Sequence, residues 1–182
     1  MKCLHVFYLL PLYKVIGIGM LLSIVWIISP MIMKSNRRLY IWKLFNIVLF
    51  ILSLLLIIYA TLIGRKVGIR EVELIPFYTL TTISYNNEAL RTMLMNVILF
   101  LPFGLTIPYV LDQQINNKRH KWCVCILSAL LLSIIIESVQ YYFYIGRAEM
   151  DDVICNALGG LLGILANDIG YRLSRKQHKH EQ

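Results

Sequence analysis

The sequence predicts an all-α, polytopic membrane helix bundle of about five transmembrane helices, with the N-terminus outside and the C-terminus cytoplasmic. Of its 182 residues 58% are apolar and 15% charged, against about 45–50% and about 25% in an ordinary soluble domain. The apolar residues gather into five stretches of roughly the length a bilayer requires, and the basic residues crowd into alternate connections. A water-soluble domain of this size leaves about 30% of its unfolded surface exposed, which gives so many Leu, Ile and Phe side chains nowhere to go. The same composition excludes disorder.

A helix rises about 1.5 Å per residue, so about 20 apolar residues cross about 30 Å of hydrocarbon. The first stretch, 15–33, lies between Lys14 and Lys34. It is too long for a signal-peptide core and no small-x-small site follows before Lys34, so it reads as a retained span. The second, 44–64, lies between Lys43 and Arg65, and the third, 92–111, between Arg91 and Asp112. None of these three holds a charge. The fourth runs from Trp122 to about Tyr144 and carries Glu137; the fifth runs from about Asp152 to Tyr171, with Asp168 near its far end. The longest polar connection, Arg65 to Arg91, contains Arg70-Glu-Val-Glu-Leu-Ile-Pro-Phe77. That apolar, Pro-containing element flanked by charge suits an interfacial or re-entrant segment. No repeat or second soluble domain is visible, and residues 1–182 read as one integral membrane domain ending in a basic cytoplasmic tail, 172–182.

Basic loops are retained in the cytoplasm, and here they separate well. The connections around Lys34–Lys43 and Lys118–Lys121, with the tail, hold eleven basic residues against three acids, while the other set holds seven of each. The whole net charge of +8 then faces anionic cytoplasmic headgroups. Because these residues lie between apolar runs and form no continuous patch, no nucleic-acid partner is expected.

On this topology the unusual residues fall at one level. Glu137 lies 16 residues beyond Lys121, about 24 Å along a helix, in the outer half of the membrane. Ser133, Glu137, Gln140, Tyr141 and Tyr144 recur every three or four residues and form a polar stripe. A carboxylate near the bilayer centre costs about 2.5–3.5 kcal/mol on insertion scales, so the stripe should face the bundle. Arg147, the nearest cation, is expected to reach back toward Glu137 and forward toward Asp151 or Asp152. The fifth span begins at those acids, which favour a helix amino terminus, and presents Asp152, Asn156, Gly159 or Gly160, and Gly163 on one face. Gly159-x-x-x-Gly163 is a small-xxx-small seam, expected to bring this helix against the fourth. The third span adds Asn96 and Pro102, whose missing N–H should kink it.

An intramembrane acid, amide and arginine at one depth mark a functional site by default. A structural lock holding helices in register is the alternative, but the cluster has more charge than a helix contact requires. Other features read plainly. The aromatic run 141–144 suits an interface belt, and the tail with His178 and His180 an orientation signal. Cys3, Cys123, Cys125 and Cys155 suit embedded or boundary thiols, with no disulfide scaffold and no metal site.

The pattern Arg70 with Leu74-Ile-Pro-Phe77, Asn96-Val-Ile-Leu-Phe-Leu-Pro-Phe-Gly104, Glu137-x-x-Gln140, Gly146-Arg147 and Asp151-Asp152-Val-Ile-Cys-Asn156-Ala-Leu-Gly-Gly-Leu-Leu-Gly163 resembles the VanZ-like family of bacterial membrane proteins. The resemblance covers a core of about 59–163, and its joint spacing is what makes it specific. It implies a small multispanning protein of the bacterial cytoplasmic membrane and, for the family's namesake, a role in resistance to the glycopeptide teicoplanin. It brings no catalytic mechanism, no cofactor and no individual role for Glu149.

Two function classes follow. In the first, a non-catalytic cell-envelope protein uses Arg70, Asn96, Glu137, Gln140, Arg147, Asp151, Asp152 and Asn156 to bind a membrane lipid, a lipid-linked cell-wall intermediate or the lipoglycopeptide itself at the outer leaflet. Arg70 and Arg147 would contact its anionic group, while Gly159, Gly160 and Gly163 pack the helices. In the second, an intramembrane enzyme modifies a polyprenyl-phosphate or glycolipid, with Glu137 or Asp152 as general base. No His stands in the cluster and no nucleophile motif is present, so the first is favoured. Five spans without two matching halves argue against a monomeric carrier; a homo-oligomer stays open.

Overall fold

The computed structural model describes residues 36–63, 71–82, 87–111 and 117–180; the expected first span, 15–33, lies outside them. Four helices in the described residues are long and apolar enough to cross a membrane, over Tyr40–Leu62, Ala89–Val110, Arg119–Phe143 and Met150–Leu173. They coincide with the second to fifth stretches expected from the sequence.

Helix α1 (Asn36–Ile58) continues into a π turn, Tyr59–Ile63. Its inner face recurs at helical spacing through Trp42, Asn46, Ser53 and Ile57, all buried, while Leu44, Val48, Ile51, Leu52 and Leu55 are exposed, the arrangement of a helix with lipid on one side. Strand β1 (Glu71–Glu73) and the short helix α2 (Tyr78–Thr82) follow. Helix α3 (Asn87–Val110) is continuous through Pro102 and Pro108, and Thr106 Oγ donates to the Pro102 carbonyl at 2.8 Å.

Helix α4 (Lys118–Phe143) is capped by Asn117, whose side chain accepts from the Arg119 and His120 amides; this offsets amides left without helical partners. It ends at Tyr144 in the left-handed conformation (φ 58°), with the Tyr144 and Ile145 amides returning to the Gln140 carbonyl. The reversal leads into strand β2 (Arg147–Glu149) and helix α5 (Met150–His180), which has Asp151 and Asp152 in its first turn.

The two strands were not foreseen, because three residues are too few to show a period of two. They pair in parallel, Glu71 with Arg147, Val72 with Ala148 and Glu73 with Glu149, and stand at the end of the bundle where α4 stops and α5 starts.

The closest helix pair is α3 with α5. A Cβ placed on Gly159 would collide with the Val97 carbonyl, one on Gly163 with the Leu101 carbonyl, and one on Gly104 with the Gly160 carbonyl. The seam of Gly159 and Gly163 therefore meets the third stretch, where the sequence placed it against the fourth. One residue round the helix, Gly160 faces α4, where its Cβ position is 2.7 Å from Ala129 Cβ. Small residues let backbones approach where lipid supplies no hydrophobic drive between helices. Around this contact Ile57, Phe100, Phe103, Ile107, Cys125, Ala129, Ile136 and Ile164 form the core. Cys123 is exposed and Cys125 buried, on different faces as their spacing requires.

Candidate functional site

Three helices, α3 and α5 running one way and α4 the other, deliver polar side chains to the end that bears the strands. Ser133 and Glu137 lie one turn apart on α4, as do Asn156 and Asp152 on α5. The Asn156 amide donates to Ser133 Oγ at 2.9 Å and so sets the register of the two helices. Because they run in opposite directions, Glu137 and Asp152 then come to one level, one turn nearer the strands. Asn96 of α3 completes this layer, its amide 2.6 Å from Asp152 Oδ1.

Each polar group is tied to a different piece of chain. Glu137 accepts the Glu149 backbone N–H at 3.1 Å, which places β2 directly on it. Asp151 accepts the backbone N–H groups of Phe77 and Thr79, at 2.5 and 2.7 Å. Gln140 donates to the Thr61 carbonyl of the π turn at 3.1 Å, while Thr61 Oγ donates to the Ile57 carbonyl at 2.7 Å. A π turn carries one residue beyond the regular helix and displaces carbonyls from their usual partners; Gln140 satisfies one of them from a neighbouring helix.

Burial is nearly complete, with Glu137 at 7% exposure, Asp151 at 3%, Asp152 at 5% and Asn156 at 2%. Buried carboxylates persist only where donors surround them, and amides from the strands, α2 and α3 fill that role here. Among the described residues two buried side-chain acceptors are left over without a hydrogen-bond partner, Asn46 Oδ1 on α1 and, in this cluster, Asn156 Oδ1, although nearly all such atoms in folded proteins have one.

Arg147 is the correction. The sequence points it toward Glu137 and toward Asp151 or Asp152, but its guanidinium bonds Glu71 Oε2 at 2.6 and 2.7 Å and lies 3.8 Å from Glu149 Oε1. The reason is the strand register. Glu71 stands directly across from Arg147, Glu149 is two residues on, and side chains at those positions share a face of the sheet. With its side chain 51% exposed, Arg147 belongs to the rim, where an ion pair contributes up to about 1 kcal/mol. Arg70 lies outside the described residues. Asn96, Glu137, Gln140, Asp151, Asp152 and Asn156 all lie at the same end of the bundle.

Glu71 and Thr61 escaped sequence reasoning. Thr61 acts through its carbonyl, which no side-chain pattern reports. Glu71 had a signal in its charge opposite to Arg147, but their juxtaposition depends on a strand pairing 76 residues apart in sequence. Among the described residues no group of three or more His, Cys, Asp or Glu side chains is arranged to hold a metal ion.

The spans and the buried polar end define a polytopic helical membrane protein with a polar cluster buried at one end of its bundle. The chain belongs to the VanZ-like family: a match to VanZ/LLP1 spans residues 47–169, which include Asn96, Glu137, Gln140, Asp151, Asp152 and Asn156. Protein VanZ of Enterococcus faecium is 38% identical over 74 residues, 41% of this chain and 42% of that protein. The chain thus spans less than half the length of that relative. No solved structure gives a significant match.

Proposed function

We propose that this chain is a cell-envelope protein of the bacterial cytoplasmic membrane that lowers susceptibility to teicoplanin-type lipoglycopeptides, with the strand-bearing end of the bundle facing outward. The buried set of Glu137, Asp152, Asn156 and Asn96 would receive the polar group of a lipid-linked cell-wall intermediate, or of the antibiotic near its acyl chain. The orphaned Asn156 Oδ1 is the observation that carries this reading. Of the two unpartnered buried acceptors among the described residues, Asn156 Oδ1 is the one that stands beside the carboxylates, where a ligand donor would be received. The charge asymmetry of the loops supports the outward orientation, and membership of the VanZ-like family supports the link to teicoplanin. Arg147, held by Glu71 and Glu149, borders the site from the rim.

The test has two readings. Cells expressing the chain should tolerate several-fold more teicoplanin than cells with empty vector, with little change for vancomycin, which lacks the acyl chain. Purified protein in lipid nanodiscs should retain labelled lipid-linked precursor or teicoplanin, where empty nanodiscs do not, and leave the precursor chemically unchanged with or without Mg2+. Equal tolerance in expressing and control cells would remove the resistance reading. A converted precursor would move the assignment to an enzyme using Glu137 or Asp152 as base.

A further inference from the structure

The described bonds that tie residues 71–82 to the polar end are polar. One carboxylate of α5, Asp151, receives the Phe77 and Thr79 amides and so caps the start of α2 from another part of the chain. The parallel pair with β2 is three residues long. The Arg147–Glu71 ion pair is about half exposed on both sides. Apolar packing contributes little, since Val72, Leu74, Ile75 and Phe77 are all exposed.

The backbone adds a second sign. Phe77 has φ 63°, in the left-handed region that a bulky aromatic residue rarely enters. Such conformations persist only where the surroundings impose them, and they cluster at clamps and switches. Here the Phe77 amide is the group bonded to Asp151, so the latch and the strain occupy the same residue. Next to this latch, Asp152 follows Asp151 in the first turn of α5, and Glu137 accepts the Glu149 amide of the strand that β1 pairs with; both are at most 7% exposed although they lie near a helix end. A ligand group that meets them must first displace what covers them.

We propose that residues 71–82 form a hinged strap over the buried polar cluster, latched by Asp151 and sprung at Phe77, and that its release admits the polar group of the ligand. This rests on the cluster being the functional site, but the motion is measurable without any ligand. In nanodiscs, deuterium exchange of the parent should be at least about tenfold faster in peptides spanning 71–82 than in the helical segments 97–107 and 153–164. Asp151→Asn leaves a single neutral acceptor oxygen in place of the two carboxylate oxygens, and should speed exchange of the strap about tenfold more. Phe77→Asn, which accepts the left-handed conformation readily, should slow it several-fold. A strap as protected as the helices and indifferent to both substitutions overturns the proposal.

The second arm locks the strap. Val72 and Ala148 are partners across the strand pair, close enough for a disulfide in Val72→Cys with Ala148→Cys. Cells carrying the oxidised pair should fall to vector-level teicoplanin tolerance and regain protection when the bond is reduced, while either single cysteine protects as the parent does. A locked protein that protects fully overturns the gating role. Should the unlocked parent itself give no protection, the resistance reading fails and the exchange measurement alone decides the strap.

Discussion

Gly163→Leu is expected to separate α3 from α5 and to deplete the folded protein from the membrane. A Cβ at this position meets the Leu101 carbonyl and backbone atoms of Leu105 and Gly104. Overpacking against movable side chains costs about 1–3 kcal/mol. Backbone does not rotate aside, so the helices themselves must part, and the cost should exceed about 3 kcal/mol. Parting them also disturbs the register that brings Asn96 to Asp152. Leu162, next in sequence but exposed, is the control: Leu162→Ala should change stability by within about 0.5 kcal/mol. Membrane abundance by immunoblot and thermal unfolding in detergent read both variants. A Gly163→Leu protein with the melting temperature of the parent would mean that α3 and α5 are not in backbone contact.

The second large effect is at Asn96. Asn96→Leu removes the donor 2.6 Å from Asp152 and places a branched apolar side chain against a buried carboxylate. Hydrogen bonds to charged groups contribute about 1.5–3 kcal/mol, and the loss is expected within that range, as a melting temperature several degrees lower. The exchanged pair, Asn96→Asp with Asp152→Asn, restores a carboxylate–amide bond across the same gap and should recover most of the loss. The double-mutant cycle isolates the coupling. If the exchanged pair melts as low as Asn96→Leu, the bond is not what holds these helices at this level.

The four described spans were legible because each is a long run with few charges, the strongest signal a membrane sequence carries. Of the polar stripe expected on α4, Ser133, Glu137 and Gln140 are buried, as polar residues at helical spacing in an apolar helix should be, whereas Tyr141 and Tyr144 are exposed and do not face the bundle. Asp152 and Asn156 were found by the same rule one helix later. What escaped were the features that depend on chain segments far apart in sequence. The glycine seam was visible, but its partner was not, since Gly159 and Gly163 suit any helix with a small residue opposite, and Gly104 lies on α3. The position of Arg147 followed from a three-residue strand that periodicity does not detect. Opposite charge drew it toward Glu137 on paper, while the ladder with Glu71 turns it to the rim.

The account depends on the buried carboxylates acting as a site and not merely as a lock, and Glu137→Gln separates the two. Glutamine has the same shape and keeps an oxygen for the Glu149 amide, so the helix and β2 remain joined while the charge is lost. Teicoplanin tolerance should be measured in cells matched for membrane abundance, beside the melting temperature of the purified variant. The account predicts tolerance at the level of empty vector with a melting temperature close to that of the parent. Full protection at equal abundance would contradict it.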